Sequence, residues 1–66
     1  MSTLAEEYPK EQARVRALLQ IYRNLGPVGQ FGAMMLERAL READEAAAEQ
    51  DLVRMVRAFA DLKECK

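Results

Sequence analysis

Three groups of residues in this 66-residue chain could do chemistry. Tyr8, Lys10 and Arg14 place a phenol and two cations within two turns of helical sequence. A cation beside an aromatic ring at that spacing suits a nucleotide, with the ring stacking on the base and the cations meeting its phosphate. The same three residues also read as an ordinary solvated basic face. The second group is Gly26-Pro27-Val28-Gly29-Gln30-Phe31-Gly32-Ala33, an octapeptide that holds all 3 glycines of the chain. Free amides at the start of a helix, exposed by glycines and lying at the positive end of its dipole, could cradle an anion through Gly26, Pro27, Gly29, Gln30 and Gly32. Alternatively the octapeptide is a helix–helix turn in which Gly26 caps while Gly29, Gly32 and Ala33 permit a close approach of helices or subunits. The third group is Phe31, Met34 and Met35. Adjacent helical residues point about 100° apart, so the two methionines cannot both face one narrow seam. One of them meets a second surface, and methionine adapts well to interfaces.

Catalysis finds little support in these residue types. Nucleophilic chemistry needs a serine, cysteine or threonine beside a base. The chain has no histidine, its only hydroxyls of that kind are Ser2 and Thr3 near the N-terminus, and Cys65 lies next to the C-terminus. Glu6 with Glu7 and Asp44 with Glu45 are paired carboxylates on what reads as solvated helix surface, without a pocket to raise a pKa. Four zinc ligands of the Cys/His type are not available, so no metal site of that type and no cofactor is expected. The octapeptide is not a P-loop, as no Gly-Lys-Ser/Thr follows. Nor is it a dinucleotide fingerprint, as no strand precedes it. An enzyme would have to assemble its site between subunits.

The elements that must position these groups follow from length and periodicity. Sixty-six residues make one domain, spanning 1–66, and a chain this short needs a staple or a partner to be comfortably stable. Eleven of the apolar residues are alanine, which adds little area to a core. A single cysteine allows no disulfide within the chain, which leaves self-association as the staple and predicts a homo-oligomer across Phe31, Met34 and Met35. A net charge of -1 argues against a nucleic-acid partner. No apolar run reaches the roughly 18 residues of a membrane span, and residues 1–7 lack the pattern of a signal peptide, which points to the cytoplasm.

No strand-like alternation occurs, and the fold class expected is all-α, a small domain of three helices at about 9–25, 29–48 and 51–64 after a flexible lead at residues 1–7. Pro9 suits the first position of a helix, where its missing N–H costs nothing. Val15, Leu18, Tyr22 and Leu25 then form an apolar stripe that Leu19 and Ile21 widen. Gly26 caps that helix and Pro27 prevents its continuation. The buried face of the second helix is expected to be Phe31, Met35, Ala39 and Ala43, flanked by Gly32, Leu36, Leu40 and Ala47. Asp51 is the N-cap of the third, with Leu52, Met55 or Val56, Phe59 and Leu62 as its stripe. The alternative is one continuous helix from 30 to 63, because Ala46-Ala47-Ala48 is strongly helix-forming and only Asp51 argues for a break.

Tyr8-Pro9-Lys10-Glu11-Gln12, the run from Gly26 to Met35, Ala43-Asp44-Glu45-Ala46, and Asp51 before an apolar helix together resemble a group of short uncharacterised proteins encoded in phages and prophages of Gram-negative bacteria. The resemblance covers nearly the whole chain. It implies a small accessory protein acting by binding in the cytoplasm of a bacterial host: sequestering a signalling nucleotide used in antiviral defence, or blocking a host protein. The first of these is the leading expectation, a cyclic nucleotide or other small anion held by Tyr8, Lys10, Arg14 and the glycine octapeptide. Those two groups lie roughly 20 Å or more apart along the first helix at about 1.5 Å per residue, so only an antiparallel neighbouring subunit could join them. The alternative is an inhibitor or adaptor that grips a host protein through Met34 and Met35 without any small molecule.

Overall fold

A computed structural model describes residues 3–66 of the chain. Its elements are α1 (Leu4–Asn24), a 3₁₀ turn (Gly26–Gly29), α2 (Gln30–Ala48) and α3 (Leu52–Glu64). Helices account for nearly all of the described residues, none of which lies in a strand. The class is all-α with three helices, as the periodicity implies.

α1 begins five residues before the expected Pro9. Thr3 is its N-cap: the hydroxyl accepts from the Glu6 N–H at 3.2 Å and the Thr3 carbonyl receives the Glu6 and Glu7 amides. Thr3 followed by Glu6 is the spacing of a capping box, a start signal as strong as the proline. Pro9 therefore sits inside the helix and forgoes a bond to the carbonyl four residues back. Tertiary anchoring offsets this loss. Tyr8 is buried, its hydroxyl donates to the Ala43 carbonyl at 2.7 Å, and its ring lies 6.2 Å from that of Phe59, stacked at 20°. Residues 4–7 are thus helix and not lead.

The α1–α2 junction is set by glycine at two different levels. Gly26 has φ +70°, a left-handed conformation that caps α1 as expected and that a side chain tolerates poorly. Gly29 and Gly32 instead provide room. A Cβ on Gly29 would lie 2.1 Å from the Tyr22 carbonyl oxygen, and one on Gly32 would lie 2.3 Å from the Tyr22 ring. The glycines serve contact within one chain.

That contact fixes which side of α2 goes inward. The buried residues are Ala33, Leu36, Leu40, Ala43 and Ala46, so the core face is turned by about one residue, or 100°, from the expected one. Ala43 is common to both. Phe31 and Met35 are exposed, with 74% and 51% of their surface open, and the expected flank of Leu36 and Leu40 forms the core with Val15, Leu19 and Leu62. Full burial of a Leu or Val side chain contributes about 1.5–3 kcal/mol, so these five residues dominate the apolar stabilisation. Small residues at 29, 32, 33 and 43 let α2 approach α1 closely, which outweighs burying the larger Phe31 and Met35. On α1, Leu25 and Ile21 likewise stay exposed.

α2 and α3 are separate helices. The Asp51 N–H bonds the Ala46 carbonyl and the Gln50 N–H bonds that of Ala47, the paired bonds of a Schellman motif, with Gln50 at φ +55° in the position that favours glycine. Asp51 then caps α3, accepting from the Arg54 N–H at 3.2 Å. Ala58 and Leu62 are the buried residues of α3, Met55 and Phe59 are half-buried, and Leu52 and Val56 face outward. Ion pairs Arg16–Asp44 and Arg23–Glu37 join α1 to α2 in antiparallel order. Arg54 reaches back to Glu42, Glu45 and Glu49, which sets α3 antiparallel to α2.

Two stability measurements check these junctions. Gly29→Ala drives a Cβ into backbone and is expected to cost about 3 kcal/mol in urea unfolding. Gly26→Ala meets no neighbour within 4 Å and carries only the left-handed strain, about 1 kcal/mol. Equal costs would refute the close-approach account. Gln50→Gly relieves the strain of the Schellman position and is expected to stabilise the fold by about 0.5–1 kcal/mol, whereas in a continuous helix from 30 to 63 the same change would destabilise it by a similar amount.

Candidate functional site

The expected ligand-binding residues are not assembled into one site. Tyr8 is buried at 2% exposure and bonded to Ala43, so it offers no ring for a base to stack on. Burial, and then the nearby carboxylates of Asp44 and Glu42, push its phenol above the ordinary value of 10.0. Arg14 is held twice: its Nε donates to Glu11 Oε2 at 2.6 Å, and a terminal nitrogen donates to the Leu62 carbonyl at 2.7 Å. The guanidinium thereby ties α1 to a carbonyl in the last turn of α3 that also receives the Cys65 N–H. Lys10 is exposed and lies 3.5 Å from Glu7. The phenol and one of the two cations therefore belong to the packing of α1 on α2 and α3.

The anion cradle fares similarly. The 3₁₀ turn runs directly into α2, and the Gln30 N–H donates to the Pro27 carbonyl, so this amide at the start of α2 already has a partner. Gly29 is buried against Tyr22, Gly32 is covered by the Tyr22 ring, and Gly26, Pro27 and Gln30 are exposed. Asp, Glu and Cys side chains of the described residues form no group of three that could hold a metal ion.

Apolar surface is what this end of the molecule presents. Ile21, Leu25, Val28, Phe31, Met34 and Met35 are all at least half exposed and all lie within fifteen residues around the α1–α2 turn. The three expected interface residues are thus at the surface, beside Ile21 and Leu25 of the expected α1 stripe. A second, smaller group is Leu52, Val53 and Val56 on α3. With Met55, Phe59 and Leu62 on the adjoining side, the apolar arc of α3 is wider than the stripe its packing on α1 and α2 buries. The signal was present in the sequence, since Val53 falls outside any single stripe through Leu52, Phe59 and Leu62.

Between α2 and α3 runs a groove of about 720 Å³. Its floor is made of small or apolar residues, Gly32, Leu36, Ala39 and Ala60, and Met35 stands at its edge. Its charged lining is Arg38 and Glu42 from α2 with Asp61 and Glu64 from α3. The groove ends where the Tyr22 hydroxyl donates to the Lys66 carbonyl and where Cys65 donates from Sγ to the Asp61 carbonyl at 3.4 Å. Burial pushes the Cys65 thiol above its ordinary value, which leaves it a weak nucleophile at neutral pH.

A groove and two exposed apolar patches are the surface features of this three-helix scaffold. Comparison with protein-family models, with curated proteins and with solved structures gives no match for the chain. No helix among the described residues is long and apolar enough to cross a membrane.

The buried phenol has a measurable consequence. The folded state holds the Tyr8 proton more tightly than the unfolded chain does, so this group's contribution is fully present below pH 10.0 and is lost as pH rises through the folded value. Urea unfolding of the native chain is expected to show an extra loss of stability above pH 10 that Tyr8→Phe removes. At pH 7 that variant is expected to be less stable by about 1 kcal/mol, the net value of the hydrogen bond to Ala43.

Proposed function

We propose that the chain is a non-catalytic accessory binding module that works as a homo-oligomer, with Phe31, Met34 and Met35 holding the copies together. The carrying observation is the exposed apolar surface around the α1–α2 turn. Two global quantities support it. The accessible surface is 4788 Å², against about 4,250 Å² for a compact monomer of this mass, an excess of roughly 500 Å². The radius of gyration is 12.1 Å, against about 10.8 Å for a compact globule of this length. Both values describe a chain more open than a compact monomer, and six large apolar side chains are exposed around the α1–α2 turn against three on α3. Leu52, Val53 and Val56 are therefore assigned to a protein target, met more weakly than a second copy is.

Of the two binding modes expected for a phage-type accessory protein in a bacterial cytoplasm, geometry favours the inhibitor or adaptor of a host protein. Sequestration of a cyclic nucleotide loses its stacking ring with Tyr8 buried and one of its cations with Arg14 bonded to Leu62. Light scattering after size exclusion at micromolar concentration tests the assembly. The native chain is expected at a multiple of 7.5 kDa, Met34→Glu at 7.5 kDa with its helical circular dichroism intact, and Val53→Glu at the native mass. A native chain that elutes as a monomer removes the proposal. A panel of cyclic nucleotides is expected to leave the melting temperature unchanged. Any nucleotide that raises it in the manner of a ligand near 100 times its dissociation constant, worth about 2.7 kcal/mol, would restore the sequestration reading.

A further inference from the structure

We infer that two copies join through their α2 helices, packed antiparallel across a twofold axis at Met35, so that Phe31 of each copy fills the α2–α3 groove of the other. This rests on the self-association proposed above and specifies its geometry. Phe31 is the largest exposed apolar side chain, with 74% of its surface open, and its own helix carries the matching hole. In an antiparallel pair centred on Met35, position 31 of one helix lies opposite position 39 of the other. Residue 39 is alanine, and Ala60 stands across the groove from it on α3. Two alanines opposite each other leave a space that one phenyl ring occupies, and the twofold provides both knobs and both holes at once.

The floor of the groove allows the approach this needs. Gly32, Ala39 and Ala60 project little, and helices with small residues at their contact pack at the short end of the usual spacing of about 8–10 Å. The groove volume of about 720 Å³ exceeds what a phenyl ring alone requires and leaves room for Met34 and Met35 beside it. Methionine adapts to such irregular space.

Charge supports the same register. Arg38, like Arg41 and Arg57, makes none of the ion pairs formed among the described residues, and of these three it is the one that lines the groove. Antiparallel pairing on Met35 carries Arg38 of one copy towards position 32 of the other, the end of the groove where Glu64 stands. Phe31 and Met35 are covered, and the unpaired guanidinium meets a carboxylate. Self-complementarity of this kind is what selects a second copy over an unrelated helix, because the knob, the hole, the cation and the acid are all supplied by one chain.

Disulfide trapping in a Cys65→Ser background tests the register with the full chain. Met35→Cys is expected to form a covalent dimer under mild oxidation, since residue 35 meets its own copy at the axis. Chains carrying Phe31→Cys and Ala39→Cys are expected to cross-link when mixed and to do so far less when kept apart. Ala60→Trp fills the hole from an exposed position without touching the core, and is expected to raise the dimer dissociation constant at least tenfold with helical content unchanged. If the native chain is oligomeric by light scattering while Met35→Cys stays uncross-linked and Ala60→Trp stays assembled, the geometry is wrong and self-association stands. A native chain that is monomeric overturns both.

Discussion

The packing of Tyr22 over Gly29 and Gly32 is the contact on which the rest of the structure depends. A Cβ at either glycine would collide with Tyr22, so the ring and carbonyl of that residue lie where only backbone can follow. With this side of α2 pressed against α1, the residues next along the same face, Ala33, Leu36 and Leu40, are carried into the core. Phe31, Met34 and Met35 are carried out. One close approach thus determines both what the protein buries and what it leaves exposed. Tyr22 extends the constraint to the other end of the chain, where its hydroxyl bonds the Lys66 carbonyl and closes the groove between α2 and α3.

Polar side chains tie the three helices together without forming a reactive centre. Arg14 joins α1 to the last turn of α3, and Tyr8 joins α1 to the middle of α2. Arg54 gathers Glu42, Glu45 and Glu49. Hydrogen bonds to the first and last of these hold its guanidinium charged beyond its ordinary range. These carboxylates are largely exposed, and exposed pairs contribute little each, typically no more than about 1 kcal/mol. Their larger effect is on direction, since α3 can return along α2 only in the sense that brings Arg54 to these acids. No polar side-chain atom is buried without a partner among the described residues.

A domain with so few large residues inside has an energetic reason to leave others outside. Its core rests on Tyr8, Val15, three leucines of α1 and α2, Leu62 and a series of alanines. Alanine permits short helix–helix distances but removes little apolar area from water. The large apolar residues spared by this economy sit at the turn end and along the outer side of α3.

How much of this was legible in the sequence depended on the range of the interaction. Local signals sufficed for helix existence and for both breaks between helices: Gly26 before Pro27 needs no tertiary contact to end α1, and Asp51 caps α3 through its side chain, which accepts from an amide three residues on. The start of α1 was equally local, in Thr3 and Glu6, but the proline at position 9 suggested a later one, and only the burial of Tyr8 shows why a helix runs through it. The candidate site was least legible. Periodicity identifies an apolar arc on α2 wide enough to hold Phe31, Met35, Leu36 and Leu40 together, and cannot say which edge of that arc goes inward. Nor can it show that Tyr8 and Arg14 are spent on partners 35 and 48 residues away. Sequence alone determined three helices and the caps at Gly26 and Asp51, because those depend on residues within a turn of each other. The choice of face, and with it the exposed surface and the groove, was decided only when Tyr22 met two glycines across the turn between helices.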